Sequence, residues 1–520
     1  MLSIRQKLLV IGYGCLALSV FACDEPPTEP VVREASVRAI LGTGITDTID
    51  AQSLQALVAE VRGSDGKLAV GAIVRFQAQP SADSTRRLEP AIFVCSLAAQ
   101  NCGPSSGTAF AVDTTDSQGR AKALVRLGHV AGRAVIRINV PEFGLLDSAT
   151  YTVNPGAAAR VRAPLADTAL DIGQTVTVRG RVVDRYGNTR PELPTLSVGT
   201  GTSISVVSAT GVVTAAEMGT QTLYVRFQAL VDSTIVRVLP AGRLVVWSSS
   251  SQSVRLVNIN GTNVRTLVSG VSSDFGAFPR FDATRQRVTL HGPAVGNSGS
   301  PNNVVVIDTT GSPRRDINGA DGFTEATSVR QVADGTVYVV GRRAGSSYSV
   351  WRVALGGAVT LAAALPGYPG DLAAKYGGAD VSPDGTRVAY IGQTATGGYE
   401  LRVFNIATGV FSVLDLNARA PRWSAQGDRL AYSSNVSNNF GGFDGNATVI
   451  NADGSNRRVL SAGTFSPGLA WSPDGLYVIG RSISTAATLR LVRVSDGVSV
   501  LLTLRSPTGS VEDYFQPDWR

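Results

Sequence analysis

The chain has 520 residues, 43% of them hydrophobic and only 17% charged, with a formal charge of +7. A charged share below the usual quarter excludes a disordered chain and a coiled coil. The 56 glycines and 24 prolines follow no Gly-X-Y period, which excludes collagen and leaves many tight turns between short strands.

Lysine occurs only at Lys7, Lys67, Lys122 and Lys375, so nearly all the positive charge is arginine, scattered singly along the chain. No basic run of the kind that grips phosphate backbones appears, and no nucleic-acid partner is expected. The two histidines, His129 and His291, are far apart and read as solitary residues, which argues against a His-rich metal site and leaves few bases for a Ser-His pair. No catalytic residue, cofactor-binding motif or metal-ligand set is expected.

Arg5 and Lys7 precede an apolar stretch from Leu8 to Ala22 that is shorter than the ~20 residues of a spanning helix, so residues 1–22 read as an export signal. It ends in Val20-Phe21-Ala22-Cys23, which resembles a bacterial lipoprotein lipobox. That resemblance implies that Cys23 is lipidated and becomes the new N-terminus; the alternative is a plain signal with an incidental cysteine. Acyl chains add ~0.8 kcal/mol per buried CH₂, and more than one is needed for stable attachment. Residues 23–33, with Pro26, Pro27 and Pro30, read as a stiff spacer. The body is expected to be exported and held to the membrane by lipid, at the periplasmic face or the cell surface of a bacterial envelope. Disulfides persist there. Cys15 leaves with the signal and Cys23 carries lipid, so Cys95 and Cys102 are expected to pair locally. Their spacing is not C-x-x-C, which argues against redox or zinc chemistry.

From 34 to 154 short alternating segments, such as Ala72-Ile73-Val74-Arg75-Phe76 and Ala134-Val135-Ile136-Arg137-Ile138, are separated by turns, the pattern of a β-sandwich. The turn Thr115-Asp116-Ser117-Gln118-Gly119-Arg120-Ala121 resembles that of bacterial Ig-like domains of the invasin/intimin type, which implies that fold. From 155 to 239 the pattern repeats: Val176 to Asp184 alternates, a turn follows at Arg185-Tyr186-Gly187-Asn188, and Gly211 to Ala215 resembles the G-x-V-T-A centre of a second Ig-like domain.

From 240 to 520 the chain is self-similar. Val381-Ser382-Pro383-Asp384-Gly385, Pro421-Arg422-Trp423-Ser424 and Trp471-Ser472-Pro473-Asp474-Gly475 are clear copies of one cluster. Weaker copies lie at Phe278 to Asp282, at Val332-Ala333-Asp334-Gly335 and at Gln516-Pro517-Asp518-Trp519. Anchored at Phe281, Gln331, Val381, Trp423, Trp471 and Trp519, the steps are 50, 50, 42, 48 and 48 residues, each copy accompanied by a hairpin around a Gly turn. That is the period of a propeller blade. The offset of hairpins and clusters at the two ends implies that a strand at Phe515–Trp519 completes the sheet begun at Leu244-Val245-Val246-Trp247. The Ser-Pro-Asp-Gly clusters resemble the repeats of TolB-like, WD40-like propellers, over about 280 residues. Trp423, Trp471 and Trp519 read as packing between blades.

The expected fold class is all-β: two Ig-like β-sandwiches followed by a six-bladed β-propeller. Asp316 to Gly322 fails as a calcium loop at Ala320, and no G-x-S-x-G motif follows the propeller. The expected function is non-catalytic: a cell-envelope lipoprotein whose propeller binds an envelope protein or glycan, with the Ig-like units as a stalk. The alternatives are a hydrolase or lyase with its site in the central funnel, which convergent Asp, Glu and Arg there would favour, and an adhesin that binds through the Ig-like units.

Overall fold

The computed structural model describes residues 34–520 except 87, 100, 101, 103–108, 164–167, 272–277, 283, 293–302, 313, 318–320, 370–377, 435–444, 467, 484–487, 503 and 507. The export signal, Cys23 and the Pro-rich spacer lie outside the described residues, as do residues 318–320 of the rejected calcium loop. The described chain is all-β apart from two single-turn 3₁₀ segments, and packs as two units.

The first unit runs to residue 157 and includes 184–189. One sheet orders the strands Ser36–Leu41, Leu57–Arg62, Arg120–Leu127 and Ile92–Cys95; the other orders Ile45–Thr48, Leu145–Asn154, Gly132–Val140, Ile73–Ala78 and Phe110–Thr114. Side chains alternate across a strand, and Arg120–Leu127 shows why this segment folds here: Ala121, Ala123, Val125 and Leu127 are buried while their neighbours are not. Both sheets supply one core, with Leu57, Val74, Phe76, Ile136, Ile138 and Tyr151 among its members. The Thr115–Ala121 turn is tied at both ends. Thr115 Oγ1 donates to the Ala69 carbonyl at 2.7 Å, and Asp116 Oδ1 accepts from the Gln118 amide at 2.8 Å. Asn188 also belongs to this unit: its Nδ2 donates to the His129 carbonyl at 2.8 Å, and its Oδ1 accepts from the Ala131 amide at 3.0 Å.

The second unit holds 158–183 and 190–520. Its first part has a sheet of Thr168–Asp171, Leu230–Leu239, Gly219–Phe227 and Thr195–Val198, faced by Thr175–Thr177, Val212–Ala215 and Ile204–Val207. Val213, Leu223, Val225, Val236 and Val238 fill the space between them. Met218 and Leu239 instead join a cluster with Leu244, Tyr477, Leu491 and Trp519. Glu217 pairs with Arg493 at 3.3 Å. The chain is therefore packed continuously through residue 239.

Beyond it, four-stranded antiparallel meanders begin at the inner strands Arg280–Phe281, Phe323–Gln331, Ala379–Val381, Arg419–Trp423 and Ala470–Trp471. The sheets of the last two are joined by a single pairing, Phe465 with Ser482. The strand Tyr514–Trp519 lies antiparallel to Arg243–Ser248, with Leu244 opposite Trp519 and Val245 opposite Asp518. It also touches both Arg280–Phe281 and Ala470–Trp471. The sheets thus follow one another around a closed, propeller-like ring, and the two ends of the ring are joined by strand pairing, which leaves no open edge there.

The Ser-Pro-Asp-Gly clusters are the turns out of the inner strands. Ser382 Oγ accepts from the Arg387 amide at 2.9 Å, and Gly385 returns its own amide to the Ser382 carbonyl at 2.9 Å with φ +70°. Gly475 does the same at φ +71°, a conformation that glycine adopts without a Cβ penalty. Arg387 and Arg429 then lie over the Trp423 and Trp471 rings of the following sheets, at 4.7 and 4.9 Å from the centroids.

Candidate binding channel

Alternation along the inner strands divides labour between adjacent residues. The anchors Trp423, Trp471 and Trp519 turn into the packing between sheets, where they are almost fully buried, and also border the central cavity. The residue before each anchor lines the central cavity: Arg280, Arg330, Asp380, Arg422, Ala470 and Asp518. The cavity measures about 90 Å³ and is also bordered by Asp282 and Arg285. Four guanidiniums and three carboxylates therefore face one small space at the ring's centre.

The carboxylates are already engaged. Asp380 is completely buried; Arg280 Nη1 bonds its Oδ1, Arg330 approaches the same oxygen at 3.5 Å, and the Trp423 amide donates to its Oδ2 at 2.8 Å. The Trp423 indole N–H reaches the Asp380 carbonyl at 3.0 Å, and that of Trp471 reaches the Arg422 carbonyl at 3.1 Å. Each link ties an inner strand to the next, so the charged ring is also a structural belt. Asp518 Oδ2 accepts from the Phe281 amide at 2.7 Å. Although Asp518 keeps some surface against the cavity, protein encloses it closely, and burial pushes its carboxyl above the ordinary value despite Arg280 and Arg330 nearby. Asp282 accepts from the Gln286 amide at 2.9 Å and the Arg287 amide at 3.1 Å.

The guanidiniums are less completely used. Arg280 is 4% exposed, yet its Nε and Nη2 are buried without a hydrogen-bond partner, as is Arg330 Nε. Arg422 Nη1 makes a 3.3 Å bond to the carbonyl of its own neighbour Pro421. Burial lowers the Arg285 pKa from its ordinary value, with Asp518 acting against that shift.

Of the residues singled out in the sequence, Cys95 and Cys102 are joined by a disulfide with their Cα atoms 5.6 Å apart, packed with Phe93 and beside Leu124. His129 sits in the first unit, its Nδ1 2.8 Å from Asp50 Oδ1 and its ring stacked 4.2 Å from that of Tyr186. His291 lies in the strand Arg287–Gly292, the second strand of its sheet, paired with Arg280–Phe281. Among the described residues no three His, Cys, Asp or Glu side chains converge as a metal-ligand set. The ring itself escapes a motif search, because its members are single residues of mixed type. Its signal is positional: each member directly precedes an anchor of the repeat.

No family model and no curated protein matches the chain. Solved structures similar to it include TolB from Acinetobacter baumannii, at 10% identity and a TM-score of 0.38 over 61% of this chain and 81% of that one. A putative TolB from Agrobacterium tumefaciens aligns at 14% identity and a TM-score of 0.35, over 54% of this chain and 98% of its own. An oligogalacturonate lyase in complex with manganese aligns at 11% identity and a TM-score of 0.31, over 65% and 76%.

Proposed function

We propose that this chain is a non-catalytic cell-envelope lipoprotein, anchored through Cys23, that carries a six-bladed TolB-like propeller on two Ig-like sandwiches. In this reading the propeller's channel face recognises an envelope protein or glycan. The observation that carries it is the state of the channel charges: its carboxylates already accept bonds from arginines and backbone amides. That inventory suits recognition rather than proton transfer.

The runner-up, a funnel hydrolase or lyase, draws on the convergence of four arginines and three aspartates on the cavity, the feature expected to favour it, and on Asp518, whose carboxyl is raised by burial as a general acid's can be. Against it stand the bond from Asp518 to the Phe281 amide and the cavity's volume of about 90 Å³, well below the ~300 Å³ at which ligand pockets begin.

The two readings separate by photo-cross-linking in intact envelopes, with the cross-linker at Ala425 on the cavity wall. A stable macromolecular adduct, unchanged on prolonged incubation, is the expected result. Recovery of a small substrate that the purified chain converts to product refutes the binding reading.

A further inference from the structure

Two gaps between neighbouring sheets of the ring share one construction, and a third departs from it. Arg387 and Arg429 each bond, through the backbone amide, the turn hydroxyl five residues back, Ser382 and Ser424, and both are half-buried. Each guanidinium lies over the indole of the next sheet's anchor, Trp423 at 4.7 Å and Trp471 at 4.9 Å. Each also donates to the carbonyl of the next turn's glycine, Gly427 at 2.7 Å and Gly475 at 3.0 Å. Other gaps hold a ring beside the turn as well: Phe281 under Arg520, Trp519 beside Tyr477, and Tyr338 against Gly385. Arg287 holds the place of Arg387 and Arg429, its amide reaching Asp282 Oδ1 at 3.1 Å, five residues back. The next anchor, however, is Gln331, and its Nε2 takes the turn carbonyl itself, that of Gly335, at 3.0 Å. Arg287 is left exposed, and a cavity of about 510 Å³ stands between the sheets of Arg280–Phe281 and Phe323–Gln331. Phe323 and Trp351 pack between the same sheets but do not border it. Interiors are close-packed, and this volume lies within the ~300–1,000 Å³ of ligand sites.

We infer that this cleft receives an aromatic side chain, indole or phenol, of a protein partner, laid against Arg287 as Trp423 is laid against Arg387. The inference rests on reading the propeller as a binding module, and it names what the partner presents. The molecule supplies its own template, since the same arginine position takes an indole face in two other gaps. An exposed guanidinium opposes a basic occupant and attracts the negative face of a ring. Val306, Ile307 and Val337 add apolar wall for the rest of the group. Leu355, which borders the cleft and is 65% exposed, offers a contact beside it; aromatic anchors seated in pockets and ringed by such contacts dominate protein interfaces. No aromatic ring borders the cleft among the described residues, so a sugar finds no stacking platform there.

The test uses the whole chain and ligand-observed NMR titration with N-acetyl-tryptophanamide, N-acetyl-tyrosinamide and N-acetyl-leucinamide. Saturable binding of at least one aromatic amide is expected, with the leucine amide about fivefold weaker or more. Arg287→Met should weaken the aromatic amide about fivefold, whereas Arg387→Met, at a gap whose indole is in place, should leave that affinity unchanged. Gln331→Trp supplies an indole from within, and should abolish binding and raise the denaturant midpoint. In intact envelopes a cross-linker at Leu355 should give a protein adduct that Gln331→Trp removes. Absence of saturable aromatic binding, equal affinity for the leucine amide, or binding that survives in a folded Gln331→Trp overturns the inference, as does a glycan adduct. Should Gln331→Trp fail to fold, the two arginine variants decide, and equal loss in both overturns it. If the aromatic amides fail while the Ala425 cross-link still forms, only the aromatic assignment falls; conversion of the captured molecule to product defeats the function itself.

Discussion

Asp380 is where fold and site meet, and Asp380→Ala tests both. The side chain is wholly buried, pairs with Arg280 and Arg330, and accepts the Trp423 amide. Removing it strands two buried cations and one backbone N–H. Breaking a buried ion pair by deleting one partner costs about 3–5 kcal/mol, because the surviving charge is left in a poorly solvating interior. An unsatisfied buried amide costs about 1–3 kcal/mol. The two overlap, since the arginines relax together with the strand, so about 4 kcal/mol is the working figure. All five tryptophans, Trp247, Trp351, Trp423, Trp471 and Trp519, lie in the ring, so guanidinium unfolding followed by their emission reports on this region alone. With a slope of about 4 kcal/mol per M, the midpoint should fall by ~1 M. Arg280→Ala on top of Asp380→Ala removes one stranded charge, so the double variant should lie well above the sum of the two single losses. A midpoint shift under ~0.2 M for Asp380→Ala, or strict additivity of the pair, refutes the claim that these charges depend on one another.

Trp519→Ala removes the large side chain that fills the join between the first and last strands, and should cost about 3–5 kcal/mol by the same emission assay; a loss below ~1 kcal/mol means the strand pairing holds without it. Replacing Cys95 and Cys102 by serine opens a loop of sequence separation 7 and should lower stability by about 2 kcal/mol. The change should appear as faster amide exchange in Ile92–Cys95, with tryptophan unfolding unchanged. Asp518→Asn keeps an acceptor for the Phe281 amide but abolishes a titration. Because the folded Asp518 carboxyl lies above its ordinary value, the folded state holds a proton that the unfolded chain releases, and the wild type loses stability as pH rises through that folded value. The variant should match the wild type in acid and gain on it with rising pH, by at most about 1.4 kcal/mol per pH unit; parallel pH profiles contradict the shift.

The repeat is legible because its turn is chemically demanding. Ser382, Pro383, Asp384 and Gly385 each meet a separate requirement: a hydroxyl that caps the Arg387 amide, a fixed φ, a carboxylate for the Thr386 amide, and a left-handed backbone. Where the ring tolerates strain, the signal fades. At Asp282 the carboxylate replaces the serine hydroxyl, and Arg285 takes φ +61° where other copies have glycine, so that copy reads only weakly in the sequence. Phe278, Ala420 and Gln516, three residues before their anchors, also have left-handed backbones, and no residue preference announces them. The turn at Arg185-Tyr186-Gly187-Asn188 is visible as a turn, but its place in the first unit is not. That place depends on Asn188 bonding to His129 and Ala131, some 60 residues back in the chain.

The channel charges are hidden for a related reason. Along an inner strand, consecutive side chains point to opposite sides, so one residue per repeat answers to the core and its neighbour answers to the channel. The core position demands a large apolar or aromatic group and therefore recurs as tryptophan at 423, 471 and 519. The channel position sets no single residue type, and its charges find their partners across distant repeats, as when Arg280 meets Asp380 a hundred residues away. A sum over the ring leaves no repeated letter in the sequence, so Arg, Arg, Asp, Arg, Ala and Asp can stand at equivalent places without forming a motif. It follows that channel chemistry can change one residue at a time while the anchors keep the fold. The limit is the belt itself: Asp380 and Asp518 each also hold a backbone amide of the next sheet. Substitutions at Arg422 should therefore alter what the channel recognises at little cost in stability, whereas removing the Asp380 carboxylate should cost both.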